Sequence, residues 1–186
     1  MAKTELIKDA LRSNPAYREE FIAALVSCES KAGHPQKNVR ETVSGPLSDA
    51  LFMGEKFSKK LQNGLTINFV YNSKIAREFL LSDPAVPNHV WEPQTTKLLL
   101  HFSCGAKNVI IAGAYFGDQA IPVAHHIRAT GICHTFEPNK NNSDLIIENA
   151  KLNGLSNVLI NNLALWNKSG EKLVFEGEDA LASTVE

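Results

Sequence analysis

The sequence predicts an α/β fold whose second half is built on a parallel sheet. Three short apolar runs carry that reading: 108–112, 132–136 and 158–161. Each is bounded by turn residues, as strands of a wound sheet are. Between them lie two segments with helical spacing, so the order is strand–helix–strand–helix–strand. Such an order winds with right-handed crossovers.

The elements before the sheet read in sequence as follows. Asn14 followed by Pro15 is a helix N-cap with proline at the first helical position, where its missing N–H costs nothing. Residues 16–31 then place Phe21, Ile22, Leu25 and Val26 on one stripe, with Gly33 as the stop, and a shorter helix around 6–11 precedes them. The polar stretch 32–46 contains Gly33, Pro35, Gly45 and Pro46 and reads as a loop. Asn63-Gly64 ahead of the alternating Leu65, Ile67, Phe69 and Tyr71 signals a hairpin. A helix at 75–81, a bend through Pro84, Pro87 and Pro93, and a helix at 95–102 ending near Gly105 follow.

Within the wound segment, the run at 108–112 suits a fully buried strand. Ala120, Val123, Ala124 and Ile127 recur at i, i+3, i+4 and i+7, the spacing of a helix packed on a sheet. A second helix at 143–152 stops at Asn153-Gly154. Beyond the third strand, 163–166, a Lys168-Ser169-Gly170 turn and 172–175 suggest a further hairpin. A complete doubly wound sheet has about six strands, so the sequence reads as the first half of one and the chain as incomplete. The expected division is an N-terminal helical and hairpin extension over 1–85 and a sheet domain over 86–186.

Composition narrows the function. With 19 basic against 20 acidic residues the formal net charge is −1, which gives no field for nucleic acid or an anionic membrane. No window approaches the roughly 18 apolar residues of a spanning helix, and the N-terminus lacks a signal-peptide core. The three cysteines, Cys28, Cys104 and Cys133, are far apart with no CxxC pair. Reduced thiols in a cytoplasmic protein, without a metal knuckle, are the expectation.

The informative turn is Gly113-Ala114-Tyr115-Phe116-Gly117-Asp118. A glycine-bearing turn between strand and helix lets a ligand approach the backbone, and the helix N-terminus adds partial positive charge. Glu137, 24 residues after Gly113, ends the next strand and so arrives at the same open carboxyl edge. An acid there is placed to accept hydrogen bonds from both hydroxyls of a ribose. A dinucleotide fingerprint needs G-x-G-x-x-G, but Tyr115 and Asp118 occupy the second and third positions. A bulky Tyr115 disfavours a pyrophosphate. A cofactor with a ribose and no phosphate fits better, and S-adenosylmethionine (SAM) is such a cofactor.

The ordered series Trp91, Glu92, Pro93 and Thr96; Gly113, Ala114, Gly117 and Asp118; Phe136, Glu137 and Pro138; Asn149, Asn153, Ala164, Leu165, Ser169 and Gly170 resembles the N-terminal part of the FkbM family of SAM-dependent methyltransferases. It spans about 90–175, roughly half the chain. The resemblance implies a Rossmann-like class I methyltransferase sheet. It also implies methyl transfer to an oxygen of a small-molecule, glycan or secondary-metabolite acceptor, while the net charge leaves no nucleic-acid or membrane partner expected. The cofactor-binding residues it implies are Gly113, Ala114, Tyr115, Phe116, Gly117, Asp118, Glu137 and Pro138, together with Glu92, Thr96, Asn162 and Ala164. Two positions depart from the family pattern: its strand-end Asp is Ile111 and its turn Asn is Tyr115. The family's later Asp-Val-Glu-Gly stretch has no counterpart before Glu186.

Plainer readings stand beside these. The turn could be only tight, with Asp118 as a helix N-cap. Glu92 and Thr96 suit a helix start. Asn162 and Ala164 suit an ordinary turn. His125 and His126 point about 100° apart on a helix and do not form a shared metal site, one being half-buried and one exposed. Cys133 reads as a small buried apolar group, and Tyr17, Phe21, Phe69 and Tyr71 as core. For the whole chain, the alternative is a degenerate, non-catalytic methyltransferase-fold module used in docking or dimerisation. A nicotinamide-dependent enzyme is disfavoured by the glycine spacing.

Overall fold

The computed structural model describes residues 3–32, 38–168, 174–176 and 183–185. The architecture is mixed α/β, and two compact units divide the chain: Met1–Phe57 with Val70–Pro87, and Ser58–Phe69 with Asn88–Glu186.

In the first unit, α1 (Lys3–Ser13) is followed directly by α2 (Pro15–Ala32). The Asn14 side chain accepts the Tyr17 N–H at 3.1 Å, so the expected cap is in place. Gly33 and Pro35 lie outside the described residues. The remainder of the expected loop, from residue 39 on, is helical instead. A π-helical turn at Arg40–Ser44 runs into α3 (Gly45–Phe52). Pro46 falls in the first turn of that helix, where it breaks no bond. The polar residues there are fixed partners rather than loop formers. Arg40 pairs with Glu29 at 2.6 Å and with Glu78, and donates to the Leu81 carbonyl at 2.6 Å. Further on, α4 (Lys74–Leu80) is capped by Ser73, whose hydroxyl accepts the Ala76 N–H at 3.1 Å. Leu11, Phe52, Tyr71, Phe79 and Leu81 form the buried interior of this unit. Tyr17, expected there, is instead 54% exposed on α2, because its face of the helix meets solvent.

The expected hairpin consists of β1 (Lys56–Lys60) and β2 (Thr66–Val70). Its turn closes through Leu61 N–H to Leu65 O at 2.8 Å, with Gly64 at φ +86°, a conformation that suits glycine.

The second unit carries the parallel sheet, in the order β3 (Asn108–Ala112), β4 (Ile132–Phe136), β5 (Val158–Asn161). Val109 pairs with Cys133, and Cys133 with Val158. Between the strands lie α6 (Ala120–His126) and α7 (Lys140–Leu152), and α5 (Pro93–Ser103) precedes them. Ile111 and Cys133 pack with Ala120, Val123, Ala124, Ile127 and Ile146, and Leu99, Leu100, Leu155 and Ile160 close around them.

The expectation of full strand burial fails on the other face. Ile110 is 63% exposed, and Ile132 and Leu159 are exposed as well. Among the described residues, the helices whose side chains join this core do so on one side of the sheet only. The expected C-terminal hairpin also differs. Residues 163–166 form no strand, and β6 (Val174–Glu176) pairs antiparallel with β7 (Ser183–Val185). The anticipated turn at Ser169-Gly170 lies outside the described residues. Among the described residues, no helix is long and apolar enough to cross a membrane.

Candidate functional site

The site is built at the carboxyl ends of β3 and β4. Because the two strands run parallel with Ala112 opposite Phe136, the segments that follow them emerge side by side. The Phe136 carbonyl accepts both the Gly113 N–H at 2.9 Å and the Ala114 N–H at 3.2 Å, which bends the chain sharply off β3.

The turn then adopts three successive positive-φ positions spread over five residues: Gly113 at +65°, Tyr115 at +48° and Gly117 at +90°. The glycines are there for different reasons. A Cβ on Gly117 would press on the Ile121 side chain at 3.0 Å, so this glycine lets the turn pack onto α6. A Cβ on Gly113 would meet no protein atom within 4 Å, so the space beside it is open. Tyr115 has no such freedom: left-handed backbone in a bulky L-residue costs about 1–2 kcal/mol. Tyr115 thus carries a backbone cost that its packing must overcome. Its ring is buried beside Phe116, centroids 4.5 Å apart.

Glu137 is where sequence reasoning needs correction. At an open sheet edge its carboxylate would be free for both hydroxyls of a ribose. It is instead 6% exposed and already engaged. Oε2 accepts the Tyr115 N–H at 2.9 Å; Oε1 accepts the Asn139 N–H at 2.9 Å and the Asn142 amide at 3.5 Å. A carboxylate offers about four acceptor positions, so one remains on Oε2 for a ligand hydroxyl. Around it, the Ser143 hydroxyl donates to the Glu137 carbonyl at 2.8 Å. The Asn162 amide bridges the Glu137 and Pro138 carbonyls at 2.8 and 2.9 Å. Asn162 therefore fastens the end of β4, and Ala164 follows half-buried in the succeeding segment.

Glu92 reaches the same site from the start of α5. It is itself in the left-handed region, at φ +43°, and the Gln119 amide donates to its Oε2 at 3.4 Å. Its charge bears on Asp118, whose carboxyl is pushed up to about 7, chiefly by burial, with Glu92 adding to the rise. The backbone N–H groups of Asp118 and Gln119 partly offset that shift. Asp118 thus meets the N–H of Gln119, the residue before α6, and faces a second acid. Thr96, one helical turn after Glu92, is buried in α5, its hydroxyl donating to the Trp91 carbonyl at 3.4 Å.

Ile111, near the end of β3, lies in the apolar cluster under the sheet. Cys133 is buried too, and its thiol is pushed up to about 11 by burial, as an inert core group. His125 is half-buried and His126 exposed, and burial, followed by Arg128 and His126, lowers the His125 pKa. Among the described residues, no cluster of three or more His, Cys, Asp or Glu residues could hold a metal ion.

Two residues that sequence reasoning assigned no role shape the site. Gln119 bridges to Glu92, and Asn149 donates to the Phe116 carbonyl at 2.9 Å. The available signal was an asparagine amid the apolar positions of α7, since a buried amide requires partners.

No family model matches the chain, and no curated protein matches it in sequence.

Proposed function

We propose that the chain binds S-adenosylmethionine at the β3–α6 turn, within a Rossmann-like sheet, and transfers its methyl group to a hydroxyl oxygen of a small-molecule, glycan or secondary-metabolite acceptor. The observation that carries this reading is the meeting of two features at adjacent strand ends: open space beside Gly113 and an acid, Glu137, on the neighbouring strand. The residues present fit the cofactor in a specific way. The backbone of Gly113, Ala114 and Phe116 would line it, and the remaining acceptor position of Glu137 would take one ribose hydroxyl. Pro138, Asn162 and Ala164 follow the strand ends on the side assigned to the adenine. Glu92 and Asp118 offer negative charge to a cationic cofactor.

Bound SAM supplies a sulfonium methyl open to in-line attack. The chain's own contribution is to hold that methyl in line with the acceptor oxygen, and such positioning supplies much of the rate in transfers of this kind.

A second reading, a non-catalytic module of methyltransferase fold, is favoured by one observation: the Glu137 carboxylate has three protein donors and serves the fold. Gly113→Ala separates the two. The new methyl collides with no protein atom, so beyond about 1 kcal/mol for left-handed alanine the variant keeps its stability. Calorimetric titration is expected to show SAM binding to the wild type and at least tenfold weaker binding to Gly113→Ala. Equal affinity in both, or no binding to either, contradicts the proposal.

A further inference from the structure

Asn149 of α7 and Asn153, which caps its C-terminus, pair with the edge of β2 as if each were a neighbouring strand. Asn153 Oδ1 accepts the Thr66 N–H at 2.8 Å and its Nδ2 donates to the Thr66 carbonyl at 2.7 Å. Asn149 does the same with Asn68, at 2.7 and 2.9 Å. The match is geometric. Four residues of helix rise about 6 Å and two residues of strand about 6.7 Å, so side chains at i and i+4 meet alternate strand residues.

The second amide hydrogen distinguishes the pair. In Asn153 it returns to its own helix, at the Asn149 carbonyl, 2.8 Å away. In Asn149 it reaches the Phe116 carbonyl of the glycine turn, at 2.9 Å. Asn149 is fully buried, so no water substitutes for it. The Phe116 carbonyl lies between the left-handed Tyr115 and Gly117, and Glu137 holds the Tyr115 N–H. Glu137 thereby holds the Tyr115 N–H and Asn149 the carbonyl of the following residue, and Asn149 does so with the amide that also grips β2. The Phe69 and Phe116 rings lie 5.8 Å apart beside the same link.

We infer that Asn149 is the positioning residue of the turn: it fixes the Phe116 peptide and couples the turn to the outer part of the hairpin. As a statement about the cofactor, this rests on the reading above; as a statement about the turn, it does not. Asn153 is the built-in control, because it makes the same strand contacts without touching the turn.

The test compares Asn149→Ala with Asn153→Ala by native-state amide exchange, normalised to the Cys133 N–H of the sheet core, and by titration with S-adenosylhomocysteine. The expected result is at least tenfold faster exchange at Tyr115 and Gly117 in Asn149→Ala. Asn153→Ala should expose the Thr66 N–H and leave the turn protected. Affinity for S-adenosylhomocysteine should fall at least tenfold further in Asn149→Ala than in Asn153→Ala. If Asn149→Ala does not fold, Asn149→Ser, which keeps one donor, is read the same way. Turn amides as protected in the Asn149 variant as in the wild type overturn the inference. The expected exchange pattern in a protein that binds no cofactor supports the inference and removes the cofactor reading alone.

Discussion

The Glu137 carboxylate holds the backbone N–H of Tyr115 at 2.9 Å, joining the end of β4 to the most strained position of the turn after β3. The acid that sequence position marks for a ligand is thus also the support of the backbone the ligand would touch. Support and recognition are compatible because a carboxylate oxygen accepts two hydrogen bonds, and Oε2 has one protein donor here.

Glu137→Ala leaves the buried Tyr115 N–H and the half-buried Asn139 N–H without an acceptor. Each buried orphan costs about 1–3 kcal/mol, so the loss of stability is expected at about 2–4 kcal/mol, far above the near-neutral change a solvated edge residue would give. Glu137→Gln should recover part of it, since its oxygen still accepts while its nitrogen only donates. Thermal and urea melts of the two variants check the order.

Asp118 makes stability depend on pH. Its folded pKa of about 7 lies above the ordinary carboxyl value, so the folded chain holds the proton more tightly than the unfolded one. Stability is therefore expected to fall as pH rises from about 4 to 7, by about 1.4 kcal/mol for each pH unit between the unfolded and folded values. Asp118→Asn should flatten that slope, as read by melts across the interval. A cationic ligand favours the ionised acid, so SAM affinity should rise through pH 7, and more steeply than that of the uncharged-sulfur product.

Ile111→Asp places an acid in an apolar cluster formed with Ala114, Val123 and Cys133. An unpaired carboxylate there costs several kcal/mol, so the variant should melt well below the wild type. Tighter SAM binding at an unchanged melting temperature would show that the position faces the ligand.

The strands of the parallel sheet were legible to the residue, because short, mainly apolar stretches bounded by turn residues such as Gly113, Gly131 and Asn157 leave little freedom in where each begins and ends. The helices were legible wherever a cap is written into the chain, as at Asn14-Pro15. What could not be read depends on distant partners. Residues 39–46 look like a loop until Glu29, Glu78 and Leu81 converge on Arg40. Glu137 looks solvated until Tyr115 and Asn139 turn their N–H groups toward it. Asn149 and Asn153 stand out in the sequence only as spaced asparagines, and their role shows once β2 lies against them. Of the site, the turn and Glu137 were visible in spacing, and Thr96 in α5 fits the helix-start reading, whereas the approach of Glu92 through Gln119 was not visible.

The central claim is that this turn selects a ribose cofactor without a pyrophosphate. Calorimetric titration of the wild-type chain with S-adenosylhomocysteine and with NAD tests it most directly. The expected result is a single site for S-adenosylhomocysteine, with NAD bound at least tenfold more weakly. NAD binding as tight or tighter, or no S-adenosylhomocysteine binding, would contradict it.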